Sequence, residues 1–485
     1  MQLSELLKDI EYNLIKGNLN QEINQIDYDS RNIIEGSLFV CIKGANSDGH
    51  LYVKQAINAG AKAIVFQDDL DFIDGISYIK VNNTRLALAL LSCAFFKHPS
   101  RELTVIGITG TKGKTTTSYM IQSILENANK KVGIIGTIGS MIDGKLTKTK
   151  NTTPESFELQ RLMREMVDKG CQYCVMEVSS QGLMLHRVSG IDFDYCVFTN
   201  LSYDHIGPNE HKDFNHYKAC KKMLFDMGKV GIFNKDDPYF NDMIHNCKCD
   251  IITYSIKEES DLKADNIRLY HENGHLGVSF KTNGLINEQF NTDIPGDFSV
   301  YNSLVAIIIS HLLNIEVNYI KKALINVRVK GRVEIVPYSN DFTVIIDYAH
   351  NALSFKSLLE TISQYNPHKI ICVYGAGGKR DKARRIDVGE VVSSFNTFSI
   401  LTADNPRGEK VIDICNDIVE GLKKKNGEYI IIEDRKDAIH YALDYAKKND
   451  IVLCLGKGHE DYMIYDTNHV IHFSEKEIIE EYRGK

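Results

Sequence analysis

Leu103-Thr104-Val105-Ile106-Gly107-Ile108-Thr109-Gly110-Thr111-Lys112-Gly113-Lys114-Thr115-Thr116 is the stretch from which the reading of this chain starts. Residues 103–109 are apolar and β-branched, as a short buried strand is, and Met120, Ile121, Ile124 and Leu125 then fall on one face of a helix. A strand, a Gly-rich turn and a helix N-terminus together form an anion cradle. Backbone N–H groups and the helix dipole converge on a phosphate, Lys114 adds a point charge, and the Thr115 hydroxyl can hold Mg²⁺. The spacing departs from the strict Walker A pattern, because Ile108 occupies the position of its first Gly. Gly110, Thr111, Lys112, Gly113, Lys114, Thr115 and Thr116 are the candidate nucleotide-binding residues. The loop predicts a bound nucleoside triphosphate and leaves the reaction open.

Outward from the loop, the chain reads as α/β throughout, and 485 residues suggest about three domains. Residues 1–97 alternate strands (Ser37–Ile42, Ala63–Phe66, Ser77–Lys80) with helices (Tyr52–Ala59, Arg85–Phe96) until His98-Pro99-Ser100 breaks the pattern. A second shift falls near Val329-Lys330-Gly331-Arg332, so the expected domains are 1–97, 98–328 and 329–485. The last third is the most regular. Apolar runs at Thr343–Ile346, Lys369–Tyr374, Phe398–Leu401, Tyr429–Ile432 and Ile451–Leu455 alternate with helical patterns at Leu353–Ile362, Val411–Lys424 and Arg435–Lys447, the signature of a doubly covered parallel sheet. Four of these strands run into polar or Gly-rich clusters: Asp347–His350, Gly375–Arg380, Thr402–Arg407 and Gly456–Asp461. Such sheets bind ligands at the carboxyl ends of their strands, so these residues are expected to share one edge.

Composition narrows the class. Lys plus Arg is 57 against 64 Asp plus Glu, a net charge of −7, with 43% hydrophobic and 25% charged residues. A mildly acidic chain without a basic tail is a poor nucleic-acid binder. The longest apolar run, Leu86–Phe96, falls short of a bilayer span, and the residues from Met1 to Asp9 show no secretory signal. The eleven Cys are scattered, several in apolar runs, as reduced cytosolic thiols are. Cys171-x-x-Cys174 has no second pair at ligand spacing and leads into Val175-Met176, so it is expected to lie in a buried strand.

The loop variant Gly110-Thr-Lys-Gly-Lys-Thr-Thr116 resembles that of the Mur ligase superfamily, ATP-dependent amide-bond formers of cell-wall synthesis. Further motifs follow in the family's order: Asp29-Ser30-Arg31, Asp48-Gly49-His50, Asn151-Thr152-Thr153-Pro154, Glu177-Val178-Ser179-Ser180 through His186-Arg187, Thr199-Asn200 with Asp204-His205, Tyr217 to Lys221, Asn302, Gly331-Arg332, Asp347–His350, Asp404–Arg407 and Gly456–Glu460. The resemblance covers essentially the whole chain. It implies a UDP-binding N-terminal domain, a central P-loop ATPase domain and a Rossmann-like amino-acid-binding C-terminal domain. It also implies the members that extend UDP-N-acetylmuramoyl-L-alanyl-D-glutamate by a third residue through an acyl phosphate, with ATP and Mg²⁺. The scattered thiols point to the cytoplasm, and a monomer is expected, although the sequence does not itself give the oligomeric state.

By the same resemblance Thr115, Glu177 and His205 hold metal, Lys221 is a carbamylated lysine, and Lys114, Lys221, Glu177 and His205 are catalytic. Asn302, Arg332, Asp347 and His350 contact ATP, while Ser30, Asn151, Thr152, Thr153, Ser179 and Arg187 contact the UDP-muramoyl-dipeptide. Arg380, Asp404, Asn405, Arg407, Gly456 and Glu460 take the incoming amino acid. The Asp404-Asn-Pro-Arg407 version implies meso-diaminopimelate, and an isosteric diamino diacid such as meso-lanthionine stays open. Three departures stand out: Asn351-Ala352-Leu353 replaces the usual Thr-Pro-Asp, Gln181 stands where His is common, and Leu185 where Gln is.

Overall fold

Apolar runs bounded by turn residues form the expected strands. In the N-terminal sheet they lie in the order Asn13–Lys16, Ser77–Lys80, Ala61–Phe66, Ser37–Val40, Gln25–Asp27, parallel except for the first pair. The structure is a computed structural model that describes residues 1–44, 47–204, 206–207, 210–272, 274–466 and 469–483. The helix Thr84–Phe95 starts where Asn83 Oδ1 accepts from the Arg85 and Leu86 N–H groups, and it buries Ala87, Leu88 and Leu91 against the sheet core.

The strand that leads into the Gly-rich loop, Thr104–Thr109, lies at the centre of the next sheet. Its neighbours on one side are Phe193–Phe198, Gly228–Asn234 and Asp250–Ser255, and on the other Tyr173–Glu177 and Val132–Gly136, all parallel. Two short antiparallel strands, Gly139–Ile142 and Lys145–Thr147, close that edge. Register pairs Glu177 with Ile108 and Phe198 with Thr109, which brings the carboxyl ends of three strands level with the phosphate loop. Cys174 is inside its strand with both Cys171 and Cys174 buried, as expected.

The chain divides into two compact units, Met1–Asp261 with Leu312–Ile315, and Leu262–His311 with Glu316–Lys485. The second unit carries the six-stranded sheet, in the order Glu334–Val336, Thr343–Asp347, Ile451–Leu455, Ile370–Tyr374, Thr397–Leu401, Glu428–Ile431, parallel but for its first strand. Apolar cores cover both its faces, one through the helices Ala352–Ser363 and Val411–Lys423, the other through Arg435–Tyr445 and Glu475–Arg483. Three antiparallel strands, Leu262–Glu272, His275–Gly284 and Gln289–Thr292, also belong to this unit. They are the main element that pattern reading did not foresee, although Leu276, Val278 and Phe280 alternate with more polar positions as in a half-buried strand. Among the described residues no helix is long and apolar enough to cross a membrane.

Candidate active site

The loop is held by close approach. Gly110 sits at φ +149°, and a Cβ there would fall 1.9 Å from Thr199 Oγ1, so only glycine fits. Asn200 straps the loop from the neighbouring strand end: its carbonyl accepts from Thr111 N–H (2.9 Å), its Oδ1 from Lys112 N–H (2.9 Å), and its Nδ2 donates to Lys112 O (3.0 Å). Gly113, at φ +87°, turns the chain into the helix Lys114–Asn127, whose first residues are Lys114, Thr115 and Thr116. Lys114 Nζ folds back over the loop to donate to Gly110 O (2.8 Å) and Thr111 O (3.2 Å).

Lys221 joins it from the helix Phe214–Lys222. Its Nζ is buried, donates to the same Gly110 carbonyl at 2.9 Å and lies 4.6 Å from the centre of the Tyr217 ring. Burial and the neighbouring Lys114 charge hold this amine well below the ordinary lysine range.

Beside the loop, Glu177 ends its strand with its carboxylate gripped by hydroxyls. Thr115 Oγ1 donates to Oε1 (2.9 Å), Thr137 N–H to Oε1 (2.9 Å) and Thr137 Oγ1 to Oε2 (3.0 Å). A Cβ on Gly136 would come within 2.3 Å of Oε1, so the absence of a side chain there gives the carboxylate its place. Thr115 and Glu177 thus present adjacent hard oxygen donors, the donor set that suits Mg²⁺. His205 lies outside the described residues.

The expected peptide-contacting residues continue the same network. Thr152 Oγ1 is 3.1 Å from Thr137 Oγ1, Thr153 Oγ1 donates to Glu177 O (2.9 Å), and Ser179 N–H donates to Thr153 Oγ1 (3.0 Å). Arg187 donates to Thr153 O (3.1 Å) and pairs with Glu155, which also receives Arg85. Asn151 is exposed, with its carbonyl accepting from Thr149 Oγ1. Ser30 lies apart from this network, in a cavity of about 440 Å³ on the N-terminal sheet with Asp29, Arg31 and Gln55.

In the second unit the strand ends meet as expected. Arg380, Asp404, Asn405, Arg407, Gly456 and Glu460 line one cavity of about 210 Å³, together with Tyr348 and His350. Asn405 is fixed from three sides, donating to Glu460 Oε2 (3.0 Å) and accepting from Lys457 Nζ (3.1 Å) and Ile464 N–H (2.9 Å). Arg407 and Asn405 both have left-handed backbone, φ +50° and +46°, which turns the chain sharply into the cavity. Among the described residues neither Arg380 nor Arg407 has a carboxylate within ion-pair distance, whereas the buried Arg385 is paired with Asp417 and Glu409 and supports Gly377 O.

Of the expected ATP contacts, Arg332 lies over the Tyr348 ring at 5.3 Å, and Asp347 accepts from Val333 and Ala349 N–H while burial pushes its carboxyl up. His350 Nδ1 is 2.9 Å from Tyr348 O, and Asn302 is buried in the helix Asp297–Leu312. Asn351 caps the helix Ala352–Ser363, its Oδ1 accepting from Ser354 N–H at 2.9 Å. Sequence reasoning passed over Thr137, Glu155 and Lys457. Thr137 follows a strand end and Lys457 lies inside the strand-end cluster Gly456–Asp461, so the strand-end rule could have found both.

Three family models match the chain: "Mur ligase family, catalytic domain" over residues 22–96, "Mur ligase middle domain" over 108–310 and "Mur ligase, glutamate ligase domain" over 331–458. The chain is 44% identical over 483 residues to the UDP-N-acetylmuramoyl-L-alanyl-D-glutamate–2,6-diaminopimelate ligase of Caldanaerobacter subterraneus subsp. tengcongensis, covering 99% of this chain and 98% of the relative. It is 43% identical to the enzyme of the same name from Clostridium tetani, covering 99% of both. A solved structure of a ligase of that name shares the fold with a TM-score of 0.75 at 24% identity, covering 100% of this chain and 99% of the other. The MurF ligase of Thermotoga maritima in complex with ADP does so at 0.59 and 18%, covering 95% and 96%.

Proposed function

The chain belongs to the Mur ligase family and is an ATP-dependent ligase; from that premise we propose that it adds meso-diaminopimelate to UDP-N-acetylmuramoyl-L-alanyl-D-glutamate in peptidoglycan precursor synthesis. The observation that carries the substrate is the cavity in which Arg380 and Arg407 stand without a carboxylate partner among the described residues, its lining shared with Asn405 and with Glu460, whose Oε2 pairs with Lys457 at 2.8 Å. Diaminopimelate differs from lysine by a second carboxylate. A guanidinium clamps that group bidentately, and lysine would leave it unpaired. Glu460 takes the far ammonium. An isosteric diamino diacid such as meso-lanthionine satisfies the same charge pattern.

A carboxylate is a poor acyl donor. The D-Glu side-chain oxygen therefore attacks the γ-phosphorus of ATP, giving an acyl phosphate and ADP; the incoming amine attacks the acyl carbon, loses its proton, and phosphate leaves. Two anions must meet for the first step, so positioning and charge screening dominate. Lys114 and the N-terminus of its helix hold the phosphates, with Gly110, Thr111, Lys112, Gly113, Thr115 and Thr116 shaping the cradle and Asn302, Arg332, Asp347 and His350 as further ATP contacts. Ser30, Asn151, Thr152, Thr153, Ser179 and Arg187 orient the UDP-muramoyl-dipeptide. Thr115 and Glu177, with His205, would hold Mg²⁺, which when bound screens the phosphate charge. Lys221 reacts as a neutral amine with CO₂ to give a carbamate and a proton, placing an anion beside the loop.

The three matched segments support domains at 1–97, 98–328 and 329–485. We also place the protein in the cytoplasm, where ATP and a nucleotide-linked substrate are available, and take it to act as a monomer. The test compares kcat/KM for meso-diaminopimelate and L-lysine in wild type and Arg407→Ala. A buried site built for a charged group rejects the analogue lacking it by ~10⁴, and the variant should lose most of that preference. Equal use of both by wild type, or unchanged discrimination in the variant, overturns the reading.

A further inference from the structure

Three side chains with no part in this reaction lie together on the helix that carries Lys221 and the segment before it. His216 and Cys220 are four apart in the helix Phe214–Lys222, so they share one face, and His211 approaches them from outside the helix. One ring nitrogen of each histidine and Cys220 Sγ lie within 4.8 Å of one another. The His211 ring is fully buried, its centre 5.1 Å from that of His216 with 66° between the planes, and its Nε2 stands 2.8 Å from Ser180 Oγ, which fixes the ring. Cys220 is buried as well. His216 Nδ1 is buried and meets no hydrogen-bond partner among the described residues, an arrangement that a ligand would relieve.

We propose that His211, His216 and Cys220 form a binding site for a zinc-type transition-metal ion, separate from the oxygen pair of Thr115 and Glu177. Two imidazoles and a thiolate are the donors that zinc selects and Mg²⁺ avoids, and three protein ligands leave a fourth position for water. Binding displaces the thiol proton of Cys220 and forms the metal–sulfur bond. The ion ties the Lys221 helix to His211 and, through Ser180, to the helix Ser180–Met184.

The other histidine cluster lacks this character. His50 Nδ1 is 2.6 Å from Asp48 Oδ1, and its Nε2 accepts from Gln67 N–H (3.2 Å) and Asp68 N–H (3.3 Å), so both ring nitrogens are committed within the fold. The Cys247 and Cys249 thiols, 2.9 Å apart, are the competing soft donors that the test must separate.

Full-length, metal-stripped protein in excess Mg²⁺, which fills oxygen-only sites, is titrated with Co²⁺ as the spectroscopic stand-in for zinc. The expected result is a thiolate-to-cobalt charge-transfer band that saturates near one equivalent and is abolished by added Zn²⁺. Cys220→Ser should remove the band, His216→Ala should weaken Co²⁺ binding by at least about tenfold, and Cys247→Ser should leave both unchanged. Circular dichroism checks that each variant is folded, and the wild-type band needs no variant at all. Absence of the band in wild type, its survival in folded Cys220→Ser, or its loss in Cys247→Ser overturns the site.

Discussion

Lys114 and Lys221 donate to one carbonyl, that of Gly110, at 2.8 and 2.9 Å. Two ammonium groups that close repel, and the buried one yields its proton first, since it has no water to hold the charge. Lys114 is half-exposed at a helix N-terminus. Lys114→Ala should lower kcat/KM by at least about 10²-fold with circular dichroism unchanged, because it removes the charge that the proposed mechanism sets on the phosphates without emptying a core; turnover within a fewfold of wild type would remove the loop from the mechanism. Lys221 is predicted to need CO₂. Its amine pKa is depressed, so it is neutral and reactive above that value and protonated and inert below it. Activity should fall in CO₂-free buffer, recover with bicarbonate, and recover less as pH drops through the depressed pKa. Lys221→Ala should lose most activity and regain part of it with added short carboxylates. Full activity in rigorously CO₂-free buffer would show that no carbamate forms.

Elements set where these side chains can act. The strand ending at Gly136 lies beside the strand ending at Glu177, and the missing Cβ on the first leaves the space that the carboxylate of the second occupies. In the C-terminal sheet the loop Asn351-Ala352-Leu353 departs from the family pattern, yet Asn351 supplies the helix cap and Leu353 faces solvent at 77% exposure, so the helix still begins directly after His350. Asn351→Ala should therefore cost about 1 kcal/mol in urea unfolding, while Asn351→Asp, which keeps the accepting oxygen, should cost far less. Equal losses in the two variants would show that the cap carries none of that stability.

For the whole molecule, the groups assigned to the three reactants are spread over segments matched by three family models, at 22–96, 108–310 and 331–458. Acyl-phosphate formation needs the dipeptide carboxylate as nucleophile, and water is a poor substitute in a site built to position it. ADP release should accordingly be stimulated at least about tenfold by UDP-muramoyl-dipeptide, and orthophosphate release should track the amine. Dipeptide-independent ATP turnover at the full rate would describe a nucleotide switch rather than a ligase.

Local chemistry wrote much of this protein into its sequence. The phosphate loop, the parallel α/β sheets and the four ligand-ready strand ends are set by residue period, turn chemistry and short motifs, each a property of a few neighbouring residues. The buried setting of Cys174 followed from the apolar run around it in the same way. The grip of Gly136 and Thr137 on Glu177, the convergence of two lysines on Gly110, and the meeting of His211 with His216 and Cys220 could not be read there. Glu177 and Thr137 are forty residues apart in sequence and adjacent only because their strands pair. The antiparallel strands of 262–292 do carry a period-2 alternation, with Leu276, Val278 and Phe280 buried between more polar positions, and it is their pairing that no local pattern supplies. Periodicity specifies which residues are strand or helix and which face is buried. Strand order, which decides which distant side chains touch, is fixed only when the apolar faces pack together.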